Sequence, residues 1–169
     1  MARISAIGII VAVVLCAIPT ITVANRGIQK KNHPYCVQGR VYCDPCRAGF
    51  ETPASTYLQG AKVKLECRER NTQEVLYKAE AVTDATGTYK IYVDKDQNKN
   101  VCDTILVSSP HRKCKFADPG RDRSRVILTS NNGIVSNDRF ANNLGFWVDQ
   151  PMGFCAKLMQ QYEVNEDEV

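Results

Sequence analysis

The residues most suited to chemistry are Cys43-Asp44-Pro45-Cys46. Two sulfurs at this spacing suit a redox dithiol, half of a zinc site, or two half-cystines. A redox dithiol needs a thiolate stabilised at a helix N-terminus, after a buried strand in a βαβ pattern. No helical periodicity follows here. Zinc needs a second pair at matching spacing; it is absent, and His33 and His111 lie in loop-like contexts. Ser108-Ser109-Pro110-His111 brings a hydroxyl near an imidazole, without the Gly-x-Ser-x-Gly elbow that would present it. The motif therefore reads as structural, and no catalysis, metal or cofactor is expected.

The elements around the motif agree. Residues 38–44 alternate, with Val41 and Cys43 on one face and Arg40 and Tyr42 on the other, and Pro45 ends the strand. Val63, Leu65 and Cys67 alternate against Lys62, Lys64 and Glu66, the period of a half-buried strand. Residues 75–82 look like its partner. Asp84-Ala85-Thr86-Gly87 is a turn, followed by a strand with Tyr89, Ile91 and Val93 on one face. Further strands are expected over 103–108, 125–129 and 144–148, with Trp147 in the core. About seven short strands and no strong amphipathic helix predict an all-β antiparallel barrel or sandwich. A short helix is expected only within 154–162.

Residues 4–24 are apolar or small after Arg3 and end in Thr22-Val23-Ala24, the pattern of a secretory signal peptide cut after Ala24. The competing reading is an uncleaved membrane anchor, which Pro19, Thr20 and Thr22 oppose. Cleavage leaves no membrane segment and seven cysteines. Six of them can pair outside the cytosol, with one left over. The expected organisation is signal 1–24, leader 25–35, β domain 36–162 and acidic tail 163–169. A net charge of +4 over the whole sequence does not imply nucleic acid.

The run Gly39-Arg40-Val41-Tyr42-Cys43-Asp44-Pro45-Cys46-Arg47 resembles the signature of the pollen allergen and extensin family named after the olive allergen Ole e I. Its pattern is Gly-x-Val-Tyr-Cys-Asp, one residue, then Cys-Arg, and every position is filled. The likeness extends through 47–52, 60–67, Thr83-Asp84 with Gly87-Thr88-Tyr89, Ser108-Ser109-Pro110, Arg121-Asp122-Arg123 to Leu128-Thr129, Asn132-Gly133-Ile134 and Asn143-Leu144-Gly145-Phe146. The resemblance implies an extracellular plant protein of the apoplast or cell wall, with no established enzymatic activity. It implies roles in pollen tube or tissue growth, with a receptor-kinase ectodomain as one class of partner. It also implies three disulfides: Cys43 with Cys114, Cys46 with Cys155, and Cys67 with Cys102. Cys36 has no partner in that set; it reads as a shielded thiol in a monomer, or as the link of a covalent dimer. No Asn-x-Ser/Thr sequon is present, so no ordinary N-glycan is expected.

Arg112, Lys113, Lys115, Arg121, Arg123 and Arg125 fall within 14 residues, and the only acidic residues among them are Asp118 and Asp122. Folded toward each other they would form a patch for acidic wall polysaccharide. A solvated mixed-charge loop is the plainer reading. Tyr35, Tyr57 and Trp147 are the aromatics that would add a protein-binding surface if exposed.

Overall fold

The computed structural model describes residues 34–97, 99–130 and 132–162. The signal, most of the leader with His33, and the acidic tail lie outside them. Ten strands are described: β1 (Tyr35–Asp44), β2 (Thr56–Tyr57), β3 (Lys62–Glu69), β4 (Val75–Val82), β5 (Thr88–Val93), β6 (Asn100–Ser108), β7 (Cys114–Ala117), β8 (Arg123–Val126), β9 (Asp138–Phe140) and β10 (Leu144–Val148). One short helix, α1 (Cys155–Met159), runs into a 3-10 turn over Gln160–Tyr162.

They form two sheets that pack as a sandwich, not a closed barrel. One sheet runs β2-β1-β10-β7, with β5 and β9 also pairing with β1; the other runs β4-β3-β6-β8. The ten-residue β1 is the spine of the first sheet. Its first half pairs antiparallel with β5 and parallel with β9, and its second half takes β2 and β10. Tyr35 belongs to this strand and is only 4% exposed, so the domain begins one residue before the expected leader boundary.

The interior is the meeting of two alternating faces. Val37, Val41, Tyr89, Ile91, Val93, Leu144 and Phe146 come from the first sheet; Val63, Leu65, Cys67 and Val126 come from the second. Each large apolar side chain moved from water contributes about 1.5–3 kcal/mol. A polar line through this core is satisfied. Tyr89 Oη donates to Thr104 Oγ1 at 3.2 Å, which donates to Ser124 O at 3.3 Å. Burial pushes the Tyr89 phenol up to about 12, so it stays a donor.

On β10 the inward positions go to Leu144, Phe146 and Val148. Trp147 therefore takes the opposite face, half-buried, and does not join the core as expected. The outer face of β3 carries a buried charge. Glu66 accepts from Lys64 Nζ at 2.8 Å and Arg68 Nη2 at 2.6 Å, with Lys78 Nζ at 3.9 Å. The Lys64 hydrogen bond first, then Arg68, holds its carboxyl below the usual range, against the desolvation that opposes it. A lowered folded-state pKa stabilises the protein above the unfolded value, and that gain is lost as pH falls through the folded one. Glu66→Gln will thus be less stable than wild type near neutral pH by on the order of 1 kcal/mol. The gap will close on acidification below the usual carboxylate range, as measured by urea unfolding across pH.

Candidate functional site

Gly39, Val41, Asp44 and Arg47 of the signature each have a structural task in β1 or the turn after it. Gly39 lies against the Tyr89 ring: a Cβ there would sit 2.6 Å from the hydroxyl. Val41 is fully buried, its N–H donating to Gly87 O at 2.9 Å and its carbonyl accepting from Leu58 N at 2.9 Å. Asp44 is fully buried and organises the loop that follows. Its Oδ1 accepts from Cys46 N at 2.9 Å and its Oδ2 from Gly49 N at 3.0 Å. Arg47 adopts φ 54, an uncommon conformation for a side-chain-bearing residue. Its guanidinium lies 4.5 Å over the Trp147 ring and its Nη1 donates to Asp149 O at 3.0 Å. These two contacts hold the turn.

The structure joins Cys43 to Cys114, Cys46 to Cys155 and Cys67 to Cys102. The two sulfurs of Cys43-Asp44-Pro45-Cys46 thus bond different, distant partners, and not each other. Cys67 and Cys102 sit directly opposite on β3 and β6. Cys36 is unbridged and half-buried. Burial first and then Asp138 raise its pKa, which favours the thiol.

The six basic residues do not make one patch. The chain crosses from the first sheet to the second between β7 and β8, through a turn where Asp118 Oδ1 accepts from Gly120 N at 2.9 Å. Arg123 and Arg125 end on β8 and are matched by carboxylates, Asp122 at 3.3 Å and Asp103 at 2.5 Å. Arg121 is half-buried and donates from Nε to Gly49 O at 2.9 Å. Arg112, Lys113 and Lys115 stay together and exposed, and no described carboxylate pairs with them.

These three line a cleft of about 630 Å³ with an apolar side. Phe116, Met152 and Phe154, 41–52% exposed, face it along with Pro45 and Val148. The cations are adjacent in the sequence, but the apolar wall is not visible there, because Met152 and Phe154 lie far along the chain. The Cys46–Cys155 bridge brings that segment to the end of β1. Of the aromatics expected at a surface, Tyr57 is exposed beneath Arg40 at 4.4 Å, while Tyr35 is buried.

Fold and site define a disulfide-bonded β sandwich whose most distinctive motif is architectural. The chain belongs to the family of pollen proteins like Ole e 1, whose family model matches residues 33–163. It is 45% identical over 137 residues to pollen allergen Phl p 11 of Phleum pratense, covering 80% of this chain and 96% of that one. It is 42% identical over 158 residues to pollen-specific protein C13 of Zea mays, covering 93% and 92%. Protein DOWNSTREAM OF FLC of Arabidopsis thaliana is 42% identical over 134 residues, covering 79% and 82%. The crystal structure of the major plantain pollen allergen Pla l 1 superposes with a TM-score of 0.63 at 27% identity, covering 72% of this chain and 98% of that chain.

Proposed function

We propose that this is a secreted extracellular protein that acts by binding, as a ligand for a protein receptor in plant growth. The observation that carries the reading is the cleft beside Cys43, which joins exposed aromatic and thioether groups to three cations with no carboxylate partner among the described residues. Interfaces that bind proteins combine apolar anchors with charged rims in this way. An acidic receptor surface presenting one apolar side chain has the matching chemistry. A purely acidic wall polysaccharide would use the cations and leave Phe116, Met152 and Phe154 unmatched.

The test is capture from plant extracellular extract by immobilised mature protein, with the variant Arg112→Glu/Lys113→Glu/Lys115→Glu and the variant Phe116→Ala/Met152→Ala as controls. A receptor ligand retains one protein saturably at moderate salt and loses it in both variants, with the Tm of each unchanged. Retention on polygalacturonate that salt abolishes and the apolar variant keeps would transfer the function to wall binding. Equal capture by all three proteins would reject the cleft.

A further inference from the structure

We propose that a second, polar pocket, lined by Tyr42, Glu51, Arg121, Asn142 and Asn143, binds a single neutral sugar unit, a pentose or hexose residue. The pocket has a volume of about 250 Å³. That is below the roughly 300–1,000 Å³ of pockets for drug-sized ligands, and it suits one ring. Its lining is a phenol, a carboxylate, a guanidinium and two amides, with almost no apolar surface. Such a set asks for a ligand made of hydroxyls.

Tyr42 forms the floor. It is 1% exposed, and its hydroxyl has no hydrogen-bond partner among the described residues. A buried polar atom left unpaired costs about 1–3 kcal/mol, so its retention calls for a reason. The ring lies over Gly145, in the space a side chain there would fill: a Cβ on Gly145 would sit 2.9 Å from both its Cζ and its Oη. Burial pushes the phenol up to about 12, so the hydroxyl presents a proton throughout the physiological range.

The walls are fixed as well. Arg121 is anchored through its Nε on Gly49 O, and its carbonyl accepts from Gly145 N at 3.0 Å. Its Nη groups make no hydrogen bond among the described residues, which leaves donors for a ligand. Asn143 Nδ2 donates to Glu51 Oε2 at 2.7 Å, while Asn143 Oδ1 accepts from Arg40 N at 3.3 Å. The backbone N–H of Asn142 donates to Ser124 Oγ at 2.8 Å, and its exposed amide is left for a ligand.

Charge selects the ligand class. Arg121 and Glu51 cancel within the pocket, and buried Asp118 lies near enough to act on the Tyr42 phenol. No positive excess remains to favour a carboxylate or phosphate. Sugar hydroxyls both donate and accept, which matches a wall that offers both. This pocket is separate from the cation-lined cleft: the two share no lining residue, and either reading stands without the other.

The experiment is nitrogen-edited NMR titration of the intact mature protein with arabinose, galactose, glucose, galacturonic acid and inorganic phosphate as separate probes. It is repeated on Tyr42→Phe and Asn142→Ala. The expected result is saturable shifts around Asn142 and Asn143 with a neutral sugar, weakened about three- to tenfold in each variant. Tyr42→Phe removes an unpaired hydroxyl, so its Tm will equal or exceed that of wild type. Three results would overturn the proposal. One is no saturable shift with any neutral sugar, which assigns the hydroxyl to water alone. Another is affinity unchanged in both variants. The last is saturation by galacturonic acid or phosphate only.

Discussion

Replacing Cys46 and Cys155 together by alanine will lower the free energy of unfolding by about 4 kcal/mol, the chain-entropy value for the path this bridge closes when Cys43–Cys114 is intact. The bridge closes a sequence separation of 109 residues. It also holds an element that has little else. Helix α1 has five residues, of which only Cys155 is buried, and an isolated helix of that length does not form in water. Without the bridge, α1 and the following turn detach, and the contact of Phe50 with Tyr162 at 5.0 Å is lost. The cleft loses Phe154 with them, while Met152 keeps its backbone N–H on Pro45 O at 3.1 Å. Urea unfolding of the oxidised double variant measures the effect, and retention of receptor capture by that variant would contradict the cleft assignment. Removing Cys67 and Cys102 opens a loop of 35 residues and will cost less, about 3–4 kcal/mol. A loss under about 1 kcal/mol for the longer loop would count against the clamp.

Gly87→Ala will destabilise by about 3 kcal/mol, more than any comparable glycine in a loop. Gly87 has φ +72, and a Cβ there would meet Tyr57 Cβ at 2.7 Å, Val41 O at 2.9 Å and Leu58 N at 3.1 Å. Two of these are backbone atoms of the network that seats β1, and they have nowhere to go. Gly133 is the control. It has φ +83 with nothing within 4 Å, so Gly133→Ala pays only for the left-handed backbone, about 1 kcal/mol. Thermal unfolding of the two variants side by side separates crowding from conformation. Equal losses would show that the Gly87 contacts relax.

The strands with clean alternation were legible. The β3 and β5 faces, Val63-Leu65-Cys67 and Tyr89-Ile91-Val93, bury the residues that the period of two selects. Strands β2, β7 and β9 were not, because two to four residues cannot show a period. The sequence pattern predicts a strand over 125–129, but β8 spans Arg123–Val126, because Ser124 and Val126 supply its inward face. Burial on the far side of a strand also escapes alternation. Tyr42 shares a face with exposed Arg40, yet it is covered by Gly145 and the turn carrying Asp118 and Arg121. The signature itself stood out in the sequence, but its meaning needed coordinates. Only they show Asp44 capping two backbone N–H groups and Arg47 resting on Trp147. The basic run failed as a patch for a related reason. Adjacency along the chain says nothing about a crossover between sheets, and Asp103, which neutralises Arg125, comes from β6.

The most direct measurement is mass-spectrometric mapping of the sulfur linkages in protein made through a plant secretory pathway, digested without reduction. The expected pattern is peptides joined 43 to 114, 46 to 155 and 67 to 102, with Cys36 alone alkylated. A peptide in which Cys43 is bonded to Cys46, or in which both are alkylated as free thiols, would contradict it.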